Sequence, residues 1–313
     1  MERELSAVLF PGQGSQFVGM GADLFGRSEL LGERTDEILG FSLRSLCLEG
    51  PEDELTRTEH AQPALFALSY ALWREVETRL TDPPSAGAGH SLGEYTALAA
   101  AGAIDYYIAL AIVAERGRAM AAAADLEASS MAALIGADAD AAETLASGRR
   151  AEGGRLYVAN INAPGQVVVA GGAEDIDWLE ANARNLGVRR VVRLRVAGAF
   201  HSPFMAPASK RVAGAVASLE AKEPSFPVYA NVTAAPAPRG EIPSLLVRQV
   251  VSPVRFAESL EAMAANGVRT YVHVGPGDVT AGMARRTVPD AEVIVVNDLD
   301  GIDQAVAAFE RSS

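Results

Sequence analysis

A Gly-x-Ser-x-Gly pentapeptide at residues 89–93 constrains the fold of this chain more than any other feature. Two glycines around a serine are typical of a cramped turn from a strand to a helix, because a Cβ beside the serine would collide with backbone. A helix-prone run, residues 94–101, follows Ser91, so the hydroxyl would lie at a helix N-terminus. Free amides and the helix dipole there favour the anion formed when a serine attacks a carbonyl. The pentapeptide therefore predicts acyl transfer through a serine ester, and the alternative is a turn in which Ser91 only caps a helix.

The composition allows a large core and argues against several functions. The chain has 313 residues, 49% of them hydrophobic, which is enough for one large domain or two smaller ones. Its single cysteine, Cys47, excludes an internal disulfide and a cysteine-based metal cluster. Forty acidic residues against 27 basic residues give a net charge of −13, which argues against a general nucleic-acid or anionic-membrane partner.

One apolar stretch, residues 95–114, is long enough to span a membrane. Asp105 lies at its centre and would be costly in lipid. Gly102 and Asp105 instead indicate the end of one helix and the N-cap of the next. Residues 1–4 lack the basic start and apolar run of a signal peptide. We therefore expect no membrane partner and a cytoplasmic location.

Short strand-like apolar runs alternate with longer helix-like runs, which is typical of parallel strands joined by crossover helices. We expect strands near residues 6–10, 86–89, 227–230, 270–274 and 292–296. Between them, further strands near 131–135, 166–170 and 191–196, the first two followed by helical segments, predict an inserted α+β domain that resembles the ferredoxin fold. The expected fold class is α/β. A large α/β-hydrolase-like domain with a parallel sheet would comprise residues 1–128 and 198–313, and the small ferredoxin-like domain residues 129–197.

A serine nucleophile needs a base, and the chain has four histidines: His60, His90, His201 and His273. His90 adjoins the nucleophile, so its side chain should leave the turn in another direction. His60 opens a helical stretch and His273 lies in an apolar run, so packing or capping is favoured for both. His201 precedes a Ser-Pro pair that indicates a helix N-cap, so its imidazole would lie on a loop from which it can reach Ser91. His201 is the candidate base.

Four longer motifs are spread over most of the chain, at residues 11–16 (Pro-Gly-Gln-Gly-Ser-Gln), 89–95 (Gly-His-Ser-Leu-Gly-Glu-Tyr), 198–202 (Gly-Ala-Phe-His-Ser) and 274–277 (Val-Gly-Pro-Gly). Shorter ones lie at 62–65, 116–117, 160–166, 231–233 and 252–254. In this order the motifs resemble the malonyl-CoA:acyl carrier protein transacylase family, including the stand-alone, trans-acting acyltransferases of polyketide synthases. The resemblance implies transfer of a malonyl group from malonyl-CoA to the phosphopantetheine thiol of an acyl carrier protein, in polyketide or fatty-acid biosynthesis.

The resemblance also implies a catalytic dyad. Ser91 would be the nucleophile, and His201 the base that takes its proton and later activates the incoming thiol. The backbone amides of Gln13 and Leu92 would form the oxyanion hole. The backbone carbonyl of Gln249 would hold the imidazole, where a triad uses a carboxylate. Six aspartates are available for a triad, and each is explained by a helix cap or a solvated face: Asp105, Asp125, Asp138, Asp140, Asp175 and Asp177.

Substrate-binding residues follow from the same resemblance. The arginine that matches Arg116 pairs with the free carboxylate of the malonyl group in a bidentate manner, and the alternative is a solvated residue on a helix. Phe200, directly before the candidate base, agrees with a malonyl preference because its bulk leaves little room for an α-methyl branch. Asn160 and Asn162 would bind the pantetheine arm or only shape the turn that follows them.

The expected partners are malonyl-CoA and an acyl carrier protein, and such carriers are usually acidic. A basic patch can steer an acidic partner despite an overall negative charge. Candidate arginines are Arg184, Arg189, Arg190, Arg193 and Arg195, with Arg149, Arg150 and Arg155 nearby, and each of them could equally be a solvated surface residue. Asp278 departs from the family, which often carries a lysine there. We expect a monomer without cofactor or metal, since the CoA thioester is itself a substrate.

Other functions remain as alternatives. The same dyad could deliver water, which would make the chain an editing thioester hydrolase of acyl carrier proteins, or it could transfer another acyl group. A nucleotide-binding oxidoreductase would need a third glycine where Phe17 and Thr280 stand. A non-catalytic docking subunit is disfavoured because nucleophile, base and oxyanion loop are all present.

Overall fold

The computed structural model describes residues 5–182 and 187–311, in two sheets surrounded by helices. The strands are β1 Leu5–Phe10, β2 Ala86–Gly89, β3 Ser129–Ile135, β4 Leu156–Ala163, β5 Gln166–Gly172, β6 Arg190–Arg193, β7 Val228–Ala230, β8 Ala235–Pro236, β9 Val268–Val274 and β10 Glu292–Val296. The helices are α1 Glu33–Leu39, α2 Leu43–Glu49, α3 Glu52–Thr56, α4 Thr58–Glu77, α5 Leu92–Ala100, α6 Tyr106–Ala124, α7 Ala139–Ala151, α8 Ala173–Asn182, α9 Ala206–Ala215, α10 Ile242–Gln249, α11 Phe256–Ala265, α12 Val279–Thr287 and α13 Ile302–Arg311.

The larger sheet has the strand order β10-β9-β1-β2-β7-β8. Its pairs are parallel except β7 with β8, so the expected α/β class is confirmed. All five strands expected in this part of the chain are present. Phe10 pairs with Gly89, so the loops that follow β1 and β2 leave the sheet side by side. Ligands of open parallel sheets bind at this edge, beyond the carboxyl ends of the strands.

The central strand β1 is buried on both faces, as expected of a parallel sheet covered by helices. Val8 and Phe10 belong to the core that includes α4 and α6. Ala7 and Leu9 belong to a second core with residues of α11 and α12. The strand therefore holds the loop after it at a rigid place between two packed layers.

The predicted break between α5 and α6 is present. Gly102 has a φ of 70°, and the Asp105 side chain caps α6 by accepting hydrogen bonds from the N–H groups of Tyr107 and Ile108, at 2.9 and 3.3 Å. Within the described ranges, no helix has the length and apolar character needed to cross a membrane.

The smaller sheet is antiparallel, with the order β4-β5-β3-β6. Helix α7 follows β3 and α8 follows β5, which gives the β-α-β-β-α-β succession of a ferredoxin-like unit. Two details differ from expectation. Strand β4 was not predicted, because asparagines interrupt its apolar run, and β6 ends at Arg193 and does not continue to residue 196. The domain boundaries at residues 128/129 and 197/198 stay a prediction.

Backbone hydrogen bonds join the small sheet to the segment before α11. Ile161 N–H donates to the carbonyl of Val254 at 2.8 Å, and Val254 N–H donates to the carbonyl of Ala159 at 2.9 Å. Strand β4 is thereby fixed against the segment that precedes α11. A cleft between the sheets results, and it opens over the carboxyl ends of β1 and β2.

Candidate active site

Ser91 lies on the sharp turn between β2 and α5, with φ 51° and ψ −105°. A Cβ on Gly89 would lie 1.9 Å from the backbone of Gly93, and a Cβ on Gly93 would lie 2.3 Å from the carbonyl oxygen of Phe10. The two glycines are therefore required by close backbone contacts. A serine held at positive φ is strained, and such strain persists only where the surrounding structure supports it.

His201 is in direct contact with the serine. Its Nε2 lies 2.8 Å from Ser91 Oγ, and its Nδ1 lies 2.9 Å from the carbonyl oxygen of Gln249. Because a carbonyl can only accept, Nδ1 carries the proton and Nε2 is free to accept the serine proton. Burial, together with the nearby charge of Arg116, lowers the pKa of His201 to about 3. The imidazole is therefore neutral near pH 7, as a base must be.

Arg116 is fully buried, so its interpretation as a solvated residue is wrong. Its Nη2 donates to Ser91 Oγ at 2.9 Å and to Gln249 Oε1 at 3.0 Å. Its Nη1 donates to Gln62 Oε1 at 2.5 Å, and its Nε has no partner. Among residues 5–182 and 187–311, no carboxylate forms an ion pair with this guanidinium. A buried cation whose hydrogen-bond partners are all neutral is unusual, because burying a charge without a directly bonded counter-charge is costly. The charge of Glu94 acts on Arg116 without contacting it, since Gln249 bonds to both residues.

The loop after β1 brings Gln13 to the serine. A Cβ on Gly12 would lie 2.5 Å from the carbonyl oxygen of His90, so this loop packs directly on the turn. The Gln13 side chain donates to Thr58 Oγ1 at 3.3 Å. In the described part of the chain, the backbone N–H groups of Gln13 and Leu92 have no hydrogen-bond acceptor. Both groups are thus available to a negative oxygen, as an oxyanion hole requires.

A cavity of about 260 Å³ lies in front of the serine, between the two sheets. Of the candidate site residues, it is lined by Gln13, Ser91, Asn160, Asn162, Phe200 and His201. Leu92, Arg116 and Gln249 are not among its lining residues and lie behind Ser91. The other walls are largely apolar side chains of β3, β5 and α12, including Met131, Val168 and Met283. Such a mixture of apolar walls and a few polar groups is typical of a small-molecule site.

The remaining histidines do not act on the serine. His90 Nε2 donates to Asn162 Oδ1 at 2.8 Å, so its ring leaves the turn in another direction. The side-chain oxygen of Asn162, a candidate binding residue, therefore already accepts a hydrogen bond within the protein. His60 Nδ1 bonds to the carbonyl of Glu54 at 2.9 Å. His273 bonds to Thr280 Oγ1 at 2.5 Å and to the carbonyl of Gly275 at 3.1 Å.

Two residues near Ser91 received no role from the sequence. Asn231, directly after β7, accepts from Ser91 N–H at 2.8 Å and donates to the carbonyl of Gly89 at 2.8 Å. Glu94, in the first turn of α5, accepts from Gln249 Nε2 at 2.6 Å and from Asn231 N–H at 3.1 Å. Both residues lie in the motifs 89–95 and 231–233, and that membership was the only available signal.

The candidate basic patch is smaller than the sequence suggested. Four of its arginines form ion pairs with neighbouring acidic residues: Arg149, Arg150, Arg155 and Arg193. Arg184 lies outside the described residues. Arg189, Arg190 and Arg195 are exposed, and none of them pairs with a carboxylate within the described ranges. Arg195 lines the cavity.

The opposite rim of the cavity has a cation that the sequence did not single out. Arg286, on α12, is exposed and donates to Gln166 Oε1 at 3.5 Å, and Gln166 itself lines the cavity. Asp278 is exposed immediately before α12. No group of three potential metal ligands (histidine, cysteine, aspartate or glutamate) is found in residues 5–182 and 187–311.

The comparisons with known proteins agree with this geometry. A family model described as "Acyl transferase domain" matches residues 8–305. The malonyl CoA-acyl carrier protein transacylase of Bacillus subtilis (strain 168) is 38% identical over 312 residues, which cover 98% of each chain. The crystal structure of an acyl-carrier-protein S-malonyltransferase from Bartonella henselae superposes with a TM-score of 0.92 at 38% identity, over 98% of this chain and 99% of that one.

A third similar protein was solved with its partner. It is a malonyl-transacylase in complex with a type II PKS acyl carrier protein, with a TM-score of 0.91 and 35% identity over 97% of this chain and 99% of that one.

Proposed function

The chain belongs to the acyl transferase family, and from this premise we propose that it transfers a malonyl group from malonyl-CoA to the phosphopantetheine thiol of an acyl carrier protein. The observation that carries the proposal is the buried guanidinium of Arg116, 2.9 Å from Ser91 Oγ and without a carboxylate partner in the described chain. The malonyl group is an acyl group that ends in a carboxylate. It would give Arg116 a directly bonded carboxylate at the place where the acyl group reacts, whereas the buried carboxylate of Glu94 is separated from the guanidinium by Gln249.

Specificity for malonyl over acetyl would follow because an uncharged acyl group makes no ion pair with Arg116. An acetyl group on Ser91 offers nothing to Arg116, so the cation would stay buried among neutral partners. A planar guanidinium binds a carboxylate through two parallel N–H bonds, and these are stronger than neutral hydrogen bonds. Sites built to bind a polar group discriminate strongly against substrates that lack it.

The first half-reaction would form the serine ester. Ser91 Oγ attacks the thioester carbonyl while its proton moves to Nε2 of His201. The carbonyl of Gln249, bonded to Nδ1–H, stabilises the imidazolium that results. The N–H groups of Gln13 and Leu92 would hold the oxyanion. When the intermediate collapses, the C–S bond breaks, and the CoA sulfur leaves with the proton from His201.

The second half-reaction repeats these steps with a new thiol. The phosphopantetheine thiol of the carrier gives its proton to His201 Nε2, and its sulfur attacks the ester carbonyl. The C–O bond to Ser91 breaks, and Oγ recovers the proton from His201. Both half-reactions are complete with the atoms of the two substrates and the dyad.

The carrier would dock at the rim of the cavity. Arg195 lines the cavity, and Arg286 bonds to the lining residue Gln166; both arginines are exposed. Arg189 and Arg190, on the same segment as Arg195, are further exposed cations. Unpaired arginines attract an acidic partner even when the whole chain is negative, because exposed charges act over about 8 Å at physiological salt. The phosphopantetheine arm would then pass between Asn160 and Gln13 to Ser91.

Phe200 would favour malonyl over methylmalonyl. Its ring is 6% exposed and lines the cavity directly before His201. One additional methyl group in such a pocket changes selectivity by about 10- to 200-fold. A methylmalonyl ester should therefore form more slowly than a malonyl ester, without being excluded.

Intact-protein mass spectrometry tests the proposal. Brief exposure to malonyl-CoA should add one malonyl group to the wild-type chain and none to Ser91→Ala. The adduct should persist in buffer and move to an added holo carrier protein. Fast loss of the adduct to water would instead favour an editing thioester hydrolase, and an adduct formed only with acetyl-CoA would favour another acyl group.

Arg116→Ala should separate charged from uncharged acyl groups. The variant loses two charge-assisted hydrogen bonds of about 1.5 kcal/mol each, so acylation by malonyl-CoA should fall on the order of 100-fold more than acylation by acetyl-CoA. Arg118→Ala is the matched control, since Arg118 lies on the same helix and pairs with Glu115 at the surface. An equal loss with both thioesters would contradict this role of Arg116.

Three further expectations remain part of the proposal: residues 129–197 form a separate small domain, the chain is a monomer, and it is cytoplasmic. A hydrophobic core of its own supports the first of them, because side chains of β3, β4, β5, α7 and α8 pack together apart from the cores of the large sheet.

A further inference from the structure

We propose that Glu94 is a positioning residue of the catalytic dyad, because one of its carboxylate oxygens accepts from the side chain of Gln249 and from the backbone N–H of Asn231. Gln249 holds His201 through its main-chain carbonyl, and Asn231 holds the backbone of Ser91 through its side chain. The inference depends on the proposed function only for the choice of malonyl-CoA as a test substrate. It concerns the dyad itself, whatever acyl group the dyad transfers.

Glu94 is buried far more completely than a surface helix residue. It is the third residue of α5 and is 1% exposed. Its Oε2 accepts two hydrogen bonds, from Gln249 Nε2 at 2.6 Å and from Asn231 N–H at 3.1 Å. These donors come from segments more than 130 residues further along the chain. A single oxygen thus connects the nucleophile turn to two distant segments of the large sheet and its helices.

The bond to Gln249 reaches the base. Gln249 is fully buried at the end of α10, and its carbonyl oxygen holds His201 Nδ1 at 2.9 Å. Its side-chain amide donates to Ser91 O at 2.8 Å as well as to Glu94, and accepts from Arg116. Both ends of the residue are therefore engaged. Because Glu94 holds the side chain, the main-chain carbonyl that orients the imidazole cannot rotate freely.

The bond to Asn231 reaches the nucleophile. Asn231 is fully buried, and its side chain joins Ser91 N–H to the carbonyl of Gly89, each at 2.8 Å. It thereby clamps the strained backbone at both sides of the serine, where φ is 51°. Glu94 holds the backbone of Asn231 at the same oxygen that holds Gln249. The positions of Ser91 and His201 therefore both depend on Glu94 Oε2, through Asn231 and Gln249.

The charges of the site are consistent with this role. Burial raises the pKa of Glu94 to about 7, against the opposing effects of its bonds to Gln249 and Asn231 and of the Arg116 charge. Gln249 stands between Arg116 and Glu94 and bonds to both. The carboxylate therefore occupies the place of an orienting acid that acts through a neighbouring residue and does not touch the imidazole.

Glu94→Met and Glu94→Gln form the decisive pair of variants. Methionine has a similar length and no strong acceptor, whereas the glutamine carbonyl can accept both hydrogen bonds without a charge. A displacement of about 1 Å in a dyad costs on the order of 100-fold in rate. We therefore expect Glu94→Met to slow formation of the Ser91 ester about 100-fold, with KM for malonyl-CoA changed less than about 3-fold because Glu94 does not line the cavity. Glu94→Gln should remain within about 5-fold of wild type.

Two measurements separate positioning from stability. Asp175→Asn is the matched control, since Asp175 is a buried carboxylate that accepts from Arg155 N–H at 2.8 Å in the small sheet region, away from Ser91. It should lower the melting temperature without changing the rate of ester formation. The proton NMR resonance of His201 Nδ1–H should broaden or disappear in Glu94→Met and remain in Glu94→Gln and Asp175→Asn.

Each outcome decides the proposal independently of the acyl group. If malonyl-CoA fails to acylate the wild type, the proposed function fails, and the same comparison is made with the Ser91-dependent acylation by p-nitrophenyl acetate. If Glu94→Met does not fold, Glu94→Asp is measured, in which the acceptor is withdrawn by about 1.5 Å and a loss of at least about 10-fold is expected. Wild-type rates in either variant, or a Glu94→Gln variant as slow as Glu94→Met, would overturn the inference.

Discussion

The chemistry of single residues in this site depends on which neighbours they bond in a dry environment. His201 is suited to the proposed role of base because the carbonyl of Gln249 fixes its tautomer and burial keeps it neutral. The proposed role of Arg116 in binding rests on its burial beside Ser91 Oγ, where its hydrogen-bond partners are neutral. Neither property belongs to the residue type alone, since the same side chains at the surface would be a titrating histidine and a solvated cation.

The pH dependence of ester formation should reflect the low pKa of His201. Burial lowers this pKa from 6.5 to about 3, so the imidazole stays neutral as the pH falls from 8 to 5 and becomes protonated only near pH 3. The rate of Ser91 acylation by malonyl-CoA should therefore show no loss with a midpoint near 6.5. Glu94 becomes protonated near pH 7, but an oxygen that can accept hydrogen bonds remains in place. This protonation should therefore not cause a loss of rate. Stopped-flow acylation between pH 5 and 8 measures this, with circular dichroism as a check of folding. An acidic limb centred at 6.5 would contradict the prediction.

Sequence reasoning reached some of these residues and missed others for a physical reason. Ser91, His201 and the Gln249 carbonyl were named, and the structure brings them into contact. For Arg116 the sequence left burial and exposure both open, because charge spacing on a helix does not reveal which face is covered. Glu94 looked like an ordinary acidic residue in the first turn of a helix. Its partners lie 137 and 155 residues away, and no local pattern reports such contacts.

At the scale of elements, the apolar runs predicted the five parallel strands of the large sheet because a buried strand must be nearly continuously hydrophobic. Strand β4 was not predicted because Asn160 and Asn162 interrupt its run of apolar residues. These asparagines are nevertheless buried, since they face the cavity and not an apolar core. The predicted end of β6 was wrong because the chain turns away from the sheet after Leu194, whose N–H still donates to Met131 of β3, and residues 194–196 line the same cavity. Both errors therefore concern residues that line the cavity and do not follow the regular apolar pattern of a strand.

Gly89→Ala should destroy the turn that carries the nucleophile. Its Cβ would lie 1.9 Å from Gly93 backbone atoms, which cannot move aside as a side chain can. We expect the free energy of unfolding to fall by about 3 kcal/mol or more, with acylation of Ser91 lost. Gly148→Ala is the matched control because Gly148 lies within α7 with no atom near its added Cβ, and it should raise stability by about 0.5–1 kcal/mol. Urea denaturation and mass spectrometry measure both effects. A folded and fully active Gly89→Ala would contradict the account of the turn.

At the scale of the whole molecule, the sign of the net charge and the sign of the local charge differ. The chain carries a net charge of −13, yet two exposed arginines without carboxylate partners in the described ranges lie at the cavity: Arg195 lines it, and Arg286 bonds to the lining residue Gln166. The sequence located arginines in the small sheet but could not show that Arg193 and its paired neighbours are neutralised by acidic residues. It also did not point to Arg286, which comes to the cavity only through the packing of α12.

Reversing the charge of the rim should therefore weaken the carrier without affecting the dyad. In Arg195→Glu combined with Arg286→Glu, we expect the KM for a holo carrier protein to rise about 10-fold or more in single-turnover transfer from the preformed Ser91 ester, and the salt dependence of the rate to diminish. Pantetheine, an uncharged acceptor, should be malonylated at the wild-type rate. Arg193→Glu is the matched control, because the guanidinium of Arg193 is already occupied by Asp177 and Glu180. An equal loss with pantetheine would place these arginines in the catalytic step, and an unchanged KM for the carrier would place the docking surface elsewhere on the molecule.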